Sequence, residues 1–270
     1  MKFGYCSNLN FCWSDDPRSR EIFDAILDAG YDYFETQLSN LLKLTQEQTD
    51  WFYGRLKDAG VPMLVNLLLF PNDVALVGPE MDLKVLTEHA KRVLPMAKEH
   101  GSELVVFGNG GTRRVREGLT HEGVLAQMEQ ILAAVEPIAR ANDIVVALEP
   151  LCTRETNMIN TFAQGANLTG KIGSPYIKNV CDWYHVAADQ ADIQELIDNA
   201  SELGHLHIAN PNGRIVPQPS DDPAIYAPFV RAVRAIGYGK KCSVEAGVPE
   251  GADVKTCVRD GLAALKQIFA

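Results

Sequence analysis

What the 270-residue sequence lacks narrows the field first. Its six cysteines (Cys6, Cys12, Cys152, Cys181, Cys242 and Cys257) contain no C-x-x-C pair. Three of them fall in strand-like runs, where a small buried thiol in a reducing compartment is the plain reading. No stretch approaches the ~18 apolar residues of a membrane span. The opening MKFGYCSNLN holds no apolar run long enough for a secretory signal, so a cytoplasmic chain away from membranes is expected. A basic excess is missing as well: 25 Lys and Arg stand against 35 Asp and Glu, a formal charge of −10. Phosphate binding wants a basic face, so no nucleic-acid partner is expected. Low-complexity tracts, linkers and charge blocks are absent too, and residues 1–270 are expected to form one domain.

What is present is a regular alternation. Short apolar runs rich in β-formers occupy Lys2–Cys6, Tyr31–Glu35, Pro62–Asn66, Glu103–Gly108, Ile144–Glu149, Ile177–Asp182, Leu203–Ile208 and Lys241–Glu245. Amphipathic segments such as EIFDAILDAG and WFYGRLKDAG lie between them and end in glycines suited to helix C-caps. VLTEHAKRVLPMAKEHG ends the same way, and its Pro95 is expected to kink the helix. Eight such units in this length predict parallel βαβ connections closing into a single (β/α)₈ barrel of the TIM type. The long irregular stretches at 7–16, 108–118 and 209–222 each follow a strand, which in such a barrel places them on the catalytic face.

The last four strands each end in a group able to ligate a metal: Glu149 in ALEP, Asp182 in VCDWYH, His207 in HLHIAN and Glu245 in SVEAG. Spacings of 33, 25 and 38 residues each equal about one strand–helix unit, so the four groups converge at one side of the barrel mouth. Three carboxylates and one imidazole suit Mn²⁺, Co²⁺ or Mg²⁺, whereas a structural zinc site would want thiolates. A lone strand-end carboxylate reads as readily as a helix cap or loop acceptor, and Glu35 is left with both readings. A lone strand histidine such as His205 reads as a satisfied core residue. A divalent ion that chelates a carbonyl oxygen and a neighbouring hydroxyl acidifies the C–H between them. Glu149 and Glu245, on strands five and eight, can then remove a proton from one face of an enediolate and return one to the other.

These motifs are similar to those of the xylose-isomerase-like sugar isomerases and epimerases, and within them resemble the ketose 3-epimerases of the tagatose and psicose (allulose) type. The resemblance covers nearly the whole chain, with its specific motifs between residues 149 and 245. It implies a metal-dependent ketose 3-epimerase or sugar isomerase working through a cis-enediolate, with Glu149 and Glu245 as catalytic acid and base. Glu149, Asp182, His207 and Glu245 would be the ligands of one divalent metal, Mn²⁺ first, then Co²⁺ or Mg²⁺. Glu155, six residues after Glu149, and His185, three after Asp182, would hold the C1–C2 end of a sugar or keto-polyol substrate. A dimer or tetramer is the assembly the resemblance implies. The alternative within the same cage is a lyase or dehydratase on a keto-polyol or keto-glycoside, as in inosose dehydratases. Apurinic-site endonucleases share the barrel, but they assemble three zinc ions with many histidines, and this chain has six in all.

One segment departs from the epimerase pattern. The substrate-binding arginine there lies six residues beyond the histidine ligand, next to a loop acid; here Arg214 lies seven beyond His207 and the acid is missing. The stretch FGNGGTRRVREG offers glycines and Arg113, Arg114 and Arg116 as an anion cradle, although it has neither P-loop nor dinucleotide spacing. Tyr5, Trp13, Phe107 and Trp183 are candidates for an apolar wall against the sugar, with interior packing the favoured role for Tyr5 and Phe107.

Overall fold

The computed structural model describes residues 1–270. Eight strands pair in parallel in chain order: β1 (Lys2–Cys6), β2 (Tyr33–Gln37), β3 (Met63–Leu67), β4 (Leu104–Phe107), β5 (Val145–Leu148), β6 (Ile177–Asp182), β7 (Leu203–Ile208) and β8 (Lys241–Val244). β8 also pairs with β1, which closes the barrel. The apolar runs therefore mark the strands to within a few residues. β2 starts two residues late because the Asp32 carboxylate turns back to accept the Phe3 N–H at 2.7 Å.

Local chemistry sets the helix ends, with the glycine C-caps where they were expected. Asp16 caps helix Pro17–Ala29 by accepting the Ser19 N–H, and Gly30 closes it in the left-handed region at φ 75°. A Thr45/Gln48 capping box opens helix Gln46–Ala59, and Gly60 ends it at φ 69°. Helix Leu83–Glu99 runs through Pro95 as one element, with Gly101 left-handed beyond it.

Side chains alternate between two environments along the strands. Phe34, Val105, Phe107, Val146, Leu148, Cys181, Leu206 and Ile208 join the large core shared with the helices. Tyr33, Val65, Leu67, Val106, Ala147 and Val180 form a smaller cluster on the opposite, inner side. β7 would break this parity without a bulge. Its register against β6 jumps from Asn179↔Leu203 to Val180↔His205, so Gly204 is the extra residue. A Cβ there would lie 2.9 Å from Lys178 Cβ, which explains the glycine. The bulge lets Leu203 face the helices while His205 and His207 both face inward, and it sets Asp182 directly opposite His207.

The loops at 7–16, 108–118 and 209–222 follow β1, β4 and β7. Two more long connections, at 68–82 and 149–161, were not apparent in the sequence. The third strand runs one residue beyond the expected Asn66, to Leu67, and Leu68, left-handed at φ 55°, ends it. Leu69, Phe70, Leu76 and Val77 are then buried from within the loop, so their apolarity reflects packing rather than strand.

Candidate metal centre

Glu149, Asp182, His207 and Glu245 come together at the carboxyl ends of β5 to β8, with one donor atom from each inside a sphere of mutual separations no larger than 4.8 Å. His207 Nδ1 lies 3.0 Å from Glu149 Oε1 and 3.0 Å from Glu245 Oε2. Asp182 divides its oxygens: Oδ1 caps helix Trp183–Ala188 by accepting the Tyr184 N–H at 2.8 Å, and Oδ2 points into the cluster with no hydrogen-bond partner. Glu245 Oε2 has none either, despite its short distance to the imidazole. Buried anionic oxygens without donors are costly, so the cluster has room and need for a cation.

Electrostatics agree. Burial pushes the Asp182 carboxyl up to about 7, with Glu245 adding to the effect. Burial and then Glu245 likewise raise Glu149 above the usual carboxylate range. For Glu245 burial is outweighed by His207 and Arg214, which hold it down at about 2. Burial opposes a proton on His207, yet the surrounding Glu35, Glu245 and Glu149 raise its pKa well above that of a free imidazole. The carboxylates outnumber the cations beside them, and the cluster keeps protons that a dication would replace. Edges of 3.0 Å between ring nitrogen and carboxylate also match an octahedron with bonds of about 2.1 Å. The residues present thus fit a divalent ion.

Glu35 is neither a helix cap nor a loop acceptor. It is fully buried inside the barrel, with Oε1 accepting from His207 Nε2 at 3.0 Å. His205 is a core residue as expected, but only half satisfied: Nε2 reaches Ser243 Oγ at 3.1 Å while Nδ1 has no partner. The alternation of strand 2 puts Tyr33 and Glu35 on one face; their reach to β7 and β8 was not readable from spacing.

On the open side, Arg214 binds Glu155 Oε1 at 2.8 Å and lies 3.2 Å from Glu245 Oε2. Two consecutive left-handed residues, Gly213 at φ 99° and Arg214 at φ 52°, shape its loop. A bridge between Asn210 and Ile215 pins the turn. The Arg214 guanidinium also stacks 4.6 Å over the Tyr184 ring, whose hydroxyl accepts from Arg154 at 2.7 Å; Tyr184 had escaped notice because an aromatic in a short helix carries no signal of its own. His185 Nδ1 accepts the Cys152 N–H at 3.2 Å, so Nε2 carries the proton, 3.4 Å from Asp182 Oδ2. Burial and then Arg214 lower its pKa to about 3, leaving a neutral donor. Beside Arg214 and Glu245 a cavity of about 290 Å³ runs past Tyr5, Cys6, Ser7, Asn8, Gln37 and Leu67.

The glycine–arginine stretch does something other than cradle an anion. Arg113 is fully buried and donates to the carbonyls of Glu149 at 2.6 Å and Phe107 at 3.4 Å. Arg114 donates to the Glu155 carbonyl at 3.1 Å, and Arg116 to the Val77 carbonyl at 3.2 Å. Gly108 makes space for the Glu149 carboxylate: a Cβ there would lie 2.4 Å from Oε2. Of the proposed wall, Phe107 packs on Phe70 and Trp183 stacks on Phe229 in the core, Trp13 is exposed, and Tyr5 alone borders the cavity.

A closed eight-stranded parallel barrel carrying acidic and imidazole groups at its carboxyl end defines a class of protein. The chain belongs to the xylose isomerase-like TIM barrel family, whose sequence pattern matches residues 23–268. It is 25% identical over 252 residues to 3-dehydro-D-guloside 4-epimerase of Escherichia coli (strain K12), covering 91% of this chain and 93% of that protein. With D-psicose 3-epimerase of Enterocloster bolteae it shares 28% identity over 134 residues, which is 49% of this chain and less than half, 44%, of the relative. The crystal structure of a D-psicose 3-epimerase in the presence of D-fructose superposes with a TM-score of 0.81 at 17% identity, over 100% of this chain and 99% of the other.

Proposed function

We propose that the chain is an isomerase-class enzyme, a divalent-metal-dependent epimerase that inverts the carbon next to the carbonyl of a keto sugar. The observation that carries the reading is the convergence of Glu149 and Glu245 on one imidazole nitrogen, each at 3.0 Å. The epimerases among its relatives support the sugar class. Glu149, Asp182, His207 and Glu245 would hold the ion, Mn²⁺ first and Co²⁺ or Mg²⁺ next. Once bound, such an ion polarises the sugar carbonyl and acidifies the neighbouring C–H.

The remaining work falls to side chains. Glu245, kept ionised and bordering the cavity, removes the proton from one face. Glu149, the other carboxylate beside the His207 nitrogen, returns one to the other face. Paired carboxylates in contrasting environments are what such an exchange requires. Glu155 and Arg214, joined at 2.8 Å, and the Nε2–H of His185 orient the hydroxyls at the carbonyl end. All six thiols are unpaired, in keeping with a cytoplasmic enzyme.

Incubating the Mn²⁺-loaded protein with D-fructose in D₂O tests this. Deuterium is expected at C3 together with the 3-epimer and no loss of water; an enone or diketone product would instead establish the dehydratase chemistry. Glu149→Gln and Glu245→Gln should each abolish exchange in a folded protein. Retained exchange in both would remove their assigned roles.

A further inference from the structure

We propose that Glu35 is a positioning residue for the metal centre: it fixes the His207 ring as the Nε2–H tautomer, so that the Nδ1 lone pair faces Glu149, Asp182 and Glu245. This rests on the metal reading above and extends it to a strand that supplies none of the four ligands.

Proton counting carries the inference. Glu35, His205, His207 and Ser243 are all fully buried, so no solvent enters the count. Glu35 Oε1 receives His207 Nε2 at 3.0 Å, and Oε2 receives the Ser243 hydroxyl. Ser243 has one hydrogen, already directed at Glu35. The Tyr33 hydroxyl at 2.8 Å and His205 Nε2 at 3.1 Å must therefore donate to Ser243 Oγ. His205 Nε2 also lies 3.4 Å from Glu35 Oε2, so its hydrogen is shared between two acceptors; in either case a carboxylate that accepts from both sides leaves His207 only Nδ1 with which to bind an ion. An acidic or carbonyl partner on the far nitrogen is how a ligating imidazole is oriented and made more basic.

The chain is built to allow this contact. β1 separates β2 from β8, and at its crossing point Gly4 is in register with Tyr33 on one side and Ser243 on the other. A Cβ on Gly4 would lie 2.1 Å from the Tyr33 ring. The missing side chain is what lets Tyr33 span β1 to Ser243 and close the network. Glu35, His205 and His207 also fall close enough together to resemble a second ion site, but both Glu35 oxygens already have hydrogen donors.

Mn²⁺ titration calorimetry on the wild type, Glu35→Gln and Tyr33→Phe, with melting curves on each, tests the role. One ion per chain is expected. Glu35→Gln should bind it ten- to hundredfold more weakly, the usual effect of losing such a partner, while still melting cooperatively, and Tyr33→Phe should lose only a few-fold. Histidine ¹⁵N–¹H long-range NMR spectra of the Zn²⁺-loaded wild type should show His207 protonated at Nε2, a readout that needs no variant to fold. Wild-type affinity in Glu35→Gln, protonation at Nδ1, or two ions per chain would each overturn the proposal. Failure of the wild type to bind any divalent ion would overturn the metal reading itself and is seen separately.

Discussion

Adding one methyl group at Gly108 should damage the proposed centre without replacing any of its ligands. The Cβ of an alanine there would stand 2.4 Å from Glu149 Oε2. A carbon–oxygen contact settles at about 3.3 Å, so one of the two must give by roughly 0.9 Å. The Glu149 backbone has little freedom to give: its N–H donates to the Phe107 carbonyl at 3.1 Å, and its carbonyl accepts from buried Arg113 at 2.6 Å. The carboxylate therefore moves. Ligand distances tolerate about 0.2 Å, and a 1 Å misplacement costs on the order of 10²-fold in turnover. Gly108→Ala is accordingly expected to weaken Mn²⁺ by at least about tenfold and to slow deuterium exchange into D-fructose by about 10²-fold. Gly111→Ala, three residues further along with nothing within 4 Å of its Cβ, is the matched control and should behave as wild type. If Gly108→Ala kept affinity and exchange within twofold of that control, the placement of Glu149 argued above would be wrong.

Further outcomes follow from the same geometry. Because His207 is held protonated above its usual range and Asp182 to about 7, ion binding must displace protons, and Mn²⁺ affinity should rise from pH 6 to pH 8; titrations in buffers of different ionisation heat would count the protons, and a flat profile would contradict it. In the ion-free protein Asp182 holds its proton to about 7 when folded but only to about 4 when unfolded, so its contribution to stability should fall as pH rises through that window, a loss Mn²⁺ should reverse in melting curves. Arg214→Ala removes a guanidinium 3.2 Å from Glu245 and should tighten Mn²⁺ several-fold while reducing sugar turnover; weaker binding of the ion would refute the repulsive role. Arg113→Leu leaves the Glu149 carbonyl unpaired in the interior, at about 1–3 kcal/mol, while the Phe107 carbonyl keeps the Glu149 N–H, and should lower the melting temperature measurably.

How much of this was legible beforehand differs from residue to residue. Glycines at Gly30 and Gly60 marked helix ends, because that effect is local. Leu69, Phe70, Leu76 and Val77 gave no sign of the long loop they pack, because an apolar residue announces burial and not the element that provides it. Arg113 was a candidate for an anion cradle and is a buried clamp on two carbonyls, which no spacing could reveal.

The sequence by itself determined the eight alternating units and the recurrence of Glu149, Asp182, His207 and Glu245 at strand ends, since closure of a parallel barrel brings equivalent ends of neighbouring strands together. Only the tertiary structure decided what stands behind and beside those four. Glu35 meets His207 across 172 residues, Tyr33 reaches Ser243 over the bare Cα of Gly4, and the one-residue bulge at Gly204 turns His205 and His207 inward. These contacts depend on register and on the room left between strands, quantities that exist only once the sheet has closed.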